Sequence, residues 1–403
     1  MTDDNTRGTL SRRTCLKTGG ALLAGGLLAG CAGNATQSNE SSEKSADTTQ
    51  KDSYSVAMSP VGEVAFEGVP ESAFVVNAQY ADMAVAFGHG DAVNSLFSPK
   101  FLGKTMNNYY DRLNISFDWK GLPDPLSGGL SKELVYKLSS DVHFADPVMV
   151  TATQKGWEKS DIEEIRTNIA PWFGNYYSGP HSKPPKDYSG KYQYYSLWEL
   201  TEKVARVFKA HDRYKALEAI HAEMLSTIHS KLPPKDERPT AARVTLGDGE
   251  FYTYHLNEPG FWMADTRPLR ATDAFAGETW SGQWGWGTVG YEAMLEADPD
   301  VILHLWGLSP GYDIHKIVRK IKNHPVGRQL SAIRNDRFYA SGIRRQGPLV
   351  NLFQLEMTAK QLYPEKFGEW PGYDGGSYPK IPENERLFDR KRVAGIVNGR
   401  NLD

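Results

Sequence analysis

The sequence predicts an α/β protein made of two similar halves joined by one long helix, and three observations carry that prediction. First, Asp212 to Lys231 repeats apolar residues at Leu217, Ile220, Met224 and Ile228, with a second row at Leu225 and Leu232. No Gly or Pro interrupts the pattern before Pro233-Pro234, so it reads as a single helix about 30 Å long. Second, two matching phrases flank it, Ser131 to Phe144 and Gly290 to Leu303. In each, a Glu (Glu133, Glu292) opens a helical run and an Asp-Val pair (Asp141-Val142, Asp300-Val301) starts a strand eight residues later. Third, strand-like and helical runs alternate after Pro234, the pattern of a parallel or mostly parallel sheet covered on both faces.

A chain of 403 residues that is 40% hydrophobic holds enough apolar material for about two cores. Its formal charge of -3 argues against nucleic acid as a partner. Both cysteines, Cys15 and Cys31, lie in the first 31 residues, which leaves the remainder without a disulfide or a thiolate metal site.

The N-terminus reads as an address. Ser11-Arg12-Arg13-Thr14-Cys15-Leu16-Lys17 is a twin-arginine signal, followed by a small apolar run from Gly19 to Gly30 that is too short to span a bilayer. Leu28-Ala29-Gly30-Cys31 resembles a lipobox, which marks Cys31 for lipidation and residues 1–30 for removal. Removal takes away four cations and two anions, so the mature chain carries about -5. The polar stretch that follows cannot bury a core, so residues 31–57 are expected to form a flexible tether.

Residues 58–210 are expected to form the first α/β unit, 211–232 the joining helix, 233–365 the second unit and 366–403 a C-terminal extension. In the first unit, Glu63 to Phe66 and Ala73 to Val76 read as strands and Ala81 to Phe87 as a helix closed by Gly88. Tyr-rich loops run on to Gly129. Ser160 to Glu163 and Ser196 to Glu199 have capping-box spacing, the second opening a helix over Trp198 to Lys209. In the second unit, Arg243 to Leu246 and Arg337 to Ala340 read as strands, and Ile314 to Lys322 and Pro348 to Leu362 as helices.

The segment Gly68 to Phe97, the phrase Glu292 to Ile302, and Asn335 to Tyr339 followed by Gly347-Pro348 and Leu362 to Glu365 occur in an order that resembles a known family. These are the solute-binding lipoproteins that deliver ferric siderophores, cobalamin or haem to ABC importers, the helical-backbone class. The resemblance covers about Gly62 to Glu365. It implies two Rossmann-like lobes bridged by the long helix, with a ligand cleft between the lobes and little opening or closing. It also implies a monomer on the outer face of the cytoplasmic membrane, serving a permease dimer with its ATPase subunits and taking up a small-molecule metal complex. Neither catalysis nor a resident cofactor or metal is implied.

Three groups of side chains are candidates. Glu133 and Glu292 open equivalent helices, where the helix dipole favours a carboxylate; the resemblance implies that they dock on permease arginines. Trp280, Trp284 and Trp286 crowd one Gly- and Ser-spaced loop, and flat apolar faces of this kind suit the wall of a ligand cleft. Trp286 stands six residues before Glu292, whereas the equivalent place in the first half is Ser127, and Asp146 rather than an aromatic follows that half's strand; both departures count against cobalamin. Tyr80, Tyr109, Tyr110 and Trp172 are further ligand candidates, with Phe173, Tyr176 and Tyr177 beside them. Arg344 and Arg345 follow a strand on a loop that the resemblance places at the cleft, and guanidinium groups grip anionic oxygens bidentately.

The ten His are scattered without metal-ligand spacing, and no phosphate loop, HExxH or nucleophile elbow occurs. The resemblance implies capture of an iron complex, a ferric siderophore, with haem, a corrinoid or an oxyanion such as molybdate as alternative ligands. A secreted lipid-anchored enzyme or sensor is the alternative of another class.

Overall fold

The computed structural model describes residues 53–278, 280, 286–400 and 402. The signal, Cys31 and Trp284 lie outside the described residues. The first half runs β1 (Tyr54–Met58), β2 (Gly62–Phe66), β3 (Ala73–Val75), α1 (Ala78–Ala86), α2 (Pro99–Tyr110), α3 (Lys132–Leu138), β4 (Val142–Phe144), α4 (Pro147–Thr153), α5 (Lys159–Asn168) and α6 (Leu197–Val207). After α7 (His211–Lys231) come β5 (Thr240–Gly247), β6 (Glu250–Tyr254), β7 (Thr272–Asp273), β8 (Trp286–Val289), α8 (Tyr291–Ala297) and β9 (Val301–His304). The chain closes with α9 (Ile314–Asn323), α10 (Ser331–Arg334), β10 (Phe338–Ala340), α11 (Pro348–Leu362), α12 (Pro364–Phe367) and α13 (Arg390–Val397).

The fold is mixed α/β. In the first half β3 and β4 pair in parallel, and single parallel bridges add Val93 beside Ala73 and Trp172 beside His143. In the second half the sheet order is β10-β9-β5-β6-β8, with β7 also against β5. This sheet is only partly parallel: β10, β9, β5 and β7 run together, β6 runs antiparallel to β5, and β8 runs antiparallel to β6. The reversal comes from a tight turn after Gly247, with Asp248 and Gly249 both at positive φ, which folds β6 directly back on β5.

The twin phrases adopt the same local structure. Helices α3 and α8 each span seven residues and end on a left-handed cap, Ser139 and Asp298. The Asp that begins each following strand then reaches across to the neighbouring strand. Asp141 accepts from the backbone N–H of Glu71 and Ser72 (3.0 and 2.9 Å), just before β3, and Asp300 accepts from that of Thr240 (2.8 Å) at the start of β5. Each carboxylate thus sets the start of the adjoining strand.

Helix α7 is unbroken over 21 residues. Its first apolar row, Leu217, Ile220, Met224 and Ile228, is buried, and Leu225 and Leu232 are half-buried. It packs on α6 from the first half and on α11, α13 and the turn Arg267–Leu269 from the second. Helix α11 is buried at all 15 positions and lies against α1, which is buried throughout as well. Gly347 makes this closeness possible: a Cβ there would stand 2.4 Å from Asp82 Oδ2 and 2.7 Å from the Gln79 carbonyl oxygen.

Several sequence expectations shift. Tyr54–Met58 is a paired strand, so regular structure begins inside the stretch assigned to the tether, because Val56 and Met58 alternate inward. The Tyr-rich stretch before Gly129 contains α2, opened by Pro99 at its first position. The first capping box sits two residues earlier than expected, with Glu158 as cap and its N–H donating to Asp161 (2.8 Å). The second forms as expected between Ser196 and Glu199.

Candidate functional site

Between β10 and α11 the chain makes a short loop that carries Arg344 and Arg345, and a buried polar network fixes it from below. Gln354 on α11 donates to the Ile343 carbonyl (3.0 Å) and to Gln346 Oε1 (2.8 Å), which Asn351 also reaches (2.9 Å). Gln346 in turn donates to Asp265 Oδ1 (3.0 Å). Asp265 is paired with Arg243 on β5 (Nη2 to Oδ2, 3.0 Å), both fully buried. Arg243 Nε is buried without a hydrogen-bond partner, but the linked bonds from Gln354 to Asp265 hold the loop in a single geometry.

At the start of α11, Asp82 of α1 accepts from the Leu349 and Val350 N–H groups (3.0 and 3.2 Å), and Tyr110 donates to its other oxygen. Burial pushes the Asp82 carboxyl up to about 7, against the pull of these donors. Asp146 plays the same part for α4, and its second oxygen accepts from the Tyr176 N–H (2.9 Å) and from the Tyr192 hydroxyl (2.5 Å). Burial raises it to about 6.

Above this base the guanidinium groups meet aromatic faces. Arg344 lies 4.5 Å from the ring centres of both Tyr254 and Trp262, and Arg345 lies 5.3 Å from Phe97. Tyr176 stands edge-on to Trp262 (5.8 Å) and its hydroxyl meets Arg345. Burial lowers Arg344 to about 10 and lowers Arg345 as well, yet both stay cationic at neutral pH. Nη1 of Arg345 is buried and without a hydrogen-bond partner.

A cleft of about 420 Å3 opens beside them, walled by Arg243, Tyr254, His255, Trp262, Trp280 and Arg344. Glu258 and Glu278 also line it. His255 is bonded to Asp273 (3.1 Å), and that bond raises the imidazole above its ordinary value. Beneath the arginine loop, Trp306 donates its backbone N–H to the Gly342 carbonyl (2.8 Å), faces Phe101 of α2 with ring centres 6.0 Å apart, and follows β9 at a φ of 67°. A bulky side chain held at positive φ stores strain of a kind that collects at ligand sites. A larger cavity of about 620 Å3 lies between the β1–β2 hairpin and α5. Its charges, among them Lys159, Glu163 and Arg166, are exposed and paired, so it lacks a preorganised charged group.

Of the sequence candidates, Arg344 and Arg345 lie together at this site, with Tyr176 beside them. Trp286 is half-exposed on β8, opposite Tyr254 in register, with its ring against Tyr252 (5.2 Å). The other four are held in the core. Tyr80 stacks on Phe144 and accepts from the Asn175 N–H (2.8 Å); Tyr109 donates to Gln354 (3.2 Å); Tyr110 donates to Asp82; Trp172 donates to the Ile162 carbonyl (3.1 Å). Their polar atoms are occupied by the protein and their rings are buried. Glu133 and Glu292 are exposed in the first turns of α3 and α8. Sequence reading passed over Phe97, Tyr254, Trp262 and Trp306. Only Tyr254 carried a signal, the alternation of buried Phe251 and Thr253 with half-exposed Tyr252 and Tyr254.

Residues 145–342 match the family model described as periplasmic binding protein. The fold is also that of a solved periplasmic binding protein from Veillonella parvula, with a TM-score of 0.55 over 82% of this chain and 95% of that one at 15% identity. Residues 145–342 thus carry the match to the periplasmic binding protein family. Among curated proteins, none matches the sequence. The chain is similar in fold to MolA of Haemophilus influenzae, a molybdate periplasmic binding protein solved with molybdate, at TM-score 0.54, 18% identity and coverage of 78% and 92%. It is also similar to PiuA of Streptococcus pneumoniae, an iron uptake ABC transporter substrate-binding protein, at TM-score 0.52, 16% identity and coverage of 75% and 96%. At these identities the likenesses establish the fold.

Proposed function

We propose that this chain is a periplasmic binding protein that captures an anionic iron chelate, a ferric siderophore with catecholate or carboxylate arms, and hands it to an ABC permease. The observation that carries the reading is the pair Arg344 and Arg345, each against an aromatic face and set on a loop braced by buried hydrogen bonds. Guanidinium forks bind chelate oxygens, and the surrounding rings suit the flat, apolar flanks of catecholate arms. A bare oxyanion such as molybdate would use the cations but leave Tyr254, Trp262 and Phe97 without a role. The protein acts by binding rather than by catalysis. Glu133 and Glu292 serve as matched docking points for the permease, and lipid on Cys31 holds the chain at the outer face of the membrane after twin-arginine export.

Titration of a ferric tris-catecholate into the purified protein tests this, read by quenching of tryptophan fluorescence. Saturable quenching that weakens at least tenfold in Arg345→Ala supports the reading. Equal affinity in Arg344→Ala, Arg345→Ala and the wild type removes the site from this place.

A further inference from the structure

Helix α9 and the chain that follows it carry a charge distribution that ligand capture does not use. From Ile314 to Arg334 there are six cations, Lys316, Arg319, Lys320, Lys322, Arg328 and Arg334, and no Asp or Glu, in a chain whose net charge is -3. All six are exposed. Around α9 the apolar residues Ile314, Ile317, Val318 and Ile321 share one face, and Lys316, Arg319, Lys320 and Lys322 share the opposite arc of about 160°. Among the described residues one carboxylate pairs with these six cations, Asp336 on Lys322 (2.9 Å), and Asp374 lies against the neighbouring His315 (3.1 Å). Asp313 caps the helix through the Lys316 N–H (2.9 Å) and points to its start.

The clustering does not serve the helix itself. Lys316 and Lys320 stand four apart, and Arg319 and Lys322 three apart, spacings at which like charges repel and destabilise. The first half, which repeats the strand-then-helix order, has no counterpart. Its stretch Pro147 to Asn168 carries Lys155, Lys159 and Arg166 against Glu158, Asp161, Glu163 and Glu164. The basic surface therefore belongs to one side of an otherwise repeated design, and a partner that meets both halves alike does not explain it.

Its position supplies the partner. The turn Gly327–Gln329 joins α9 to α10 and packs on both, and it also packs on α8, whose first turn bears Glu292. Tyr291 stacks on His324 with ring centres 3.7 Å apart. A chain that docks on its permease through Glu292 brings the adjoining α9–α10 face to the surrounding bilayer. We infer that the basic face of α9 and α10 rests on anionic phospholipid headgroups beside the permease and orients the protein for docking. Each cation near such a surface multiplies partitioning by about fivefold, so three account for about a hundredfold.

This inference rests on the reading of the chain as a membrane-side capture protein, and the two fail separately because the test needs neither chelate nor permease. The full chain is mixed with vesicles of phosphatidylcholine, with or without phosphatidylglycerol, and the bound fraction is read by flotation. The apolar run at Gly19 to Gly30 and the four cations before it contribute equally to every variant, so the readout is the ratio of binding to anionic and neutral vesicles, compared between each variant and the wild type. The wild-type ratio is expected to exceed tenfold and to collapse at about 0.5 M salt, and Lys316→Gln/Arg319→Gln/Lys320→Gln is expected to lower it by at least tenfold. A control that removes the same charge elsewhere, Lys120→Gln/Lys183→Gln/Lys186→Gln, keeps the ratio. An unchanged ratio in the α9 variant, an equal loss in the control, or persistence of the wild-type ratio in high salt overturns the inference. Because the salt arm uses wild-type protein, a misfolded variant leaves the proposal open to refutation. Intact ferric tris-catecholate binding alongside a failed vesicle test leaves the capture reading standing.

Discussion

Replacing Asp82 by Asn changes how stability depends on pH, and the structure sets both the sign and the size. Asp82 is buried beneath the start of α11, and burial pushes its carboxyl up to about 7. Between the ordinary Asp value near 4 and about 7 the folded chain keeps a proton that the unfolded chain has released. Stability from this group is therefore complete below about pH 4, falls as pH rises, and is lost above about pH 7. The interval corresponds to about 4 kcal/mol. Asn is isosteric, accepts from the Leu349 and Val350 N–H groups, and turns its amide toward Tyr110, with no charge to desolvate. Wild-type curves alone would hide the effect. Burial depresses His143, His221 and His304 to about 4, and such groups add stability as pH rises from about 4 to 6.5. The informative quantity is thus the difference between Asp82→Asn and wild type in urea unfolding at pH 4.5, 6, 7.5 and 8.5. The difference should move in favour of the variant by about 3 kcal/mol over that range, most of it before pH 7.5. A constant difference would show that Asp82 ionises like a solvated carboxyl and that the account of α11's start is wrong.

Other perturbations follow from the same packing. Asp265→Leu leaves Arg243 buried without its counter-charge and should cost about 3–5 kcal/mol in urea unfolding, with weaker chelate binding because Gln346 loses its acceptor. Arg243→Met together with Asp265→Leu should recover most of that loss, since an apolar pair of similar volume avoids the desolvation. Gly347→Ala should cost at least about 2 kcal/mol, because the new methyl group collides with Asp82 and the Gln79 carbonyl; thermal unfolding within a degree of wild type would contradict it. Glu133→Lys with Glu292→Lys should leave chelate binding unchanged and abolish uptake in cells, whereas preserved uptake would remove both residues from docking.

The fold was legible where local pattern and tertiary role agree. Helix α11 was read at its observed bounds, and the single helix from Asp212 to Lys231 matches α7 to within one residue, since each repeats its apolar positions without a break. Strand β6 was missed although the Asp248-Gly249 turn that folds it back on β5 is a local signal, whereas β8 pairs with β6, from a distant stretch, a relation that no window of sequence contains. At the site, the adjacency of Arg344 and Arg345 was visible, whereas their aromatic partners Tyr254, Trp262 and Phe97 come from three distant stretches. The reverse error concerns Tyr80, Tyr109, Tyr110 and Trp172. An aromatic in an irregular stretch looks available for a ligand, but these four bury their rings and satisfy their polar atoms within the protein. Composition counts such residues without telling which ones the core claims.

The central claim is that Arg344 and Arg345 grip an anionic iron chelate. Isothermal titration of matched ferric chelates, an anionic tris-catecholate and a neutral tris-hydroxamate, into wild type and Arg344→Ala/Arg345→Ala tests it most directly. The account predicts tight binding of the catecholate by wild type, weaker binding of the hydroxamate, and a loss for the double variant of at least tenfold confined to the anionic ligand. Tighter binding of the neutral chelate, or an equal loss for both ligands, would contradict it.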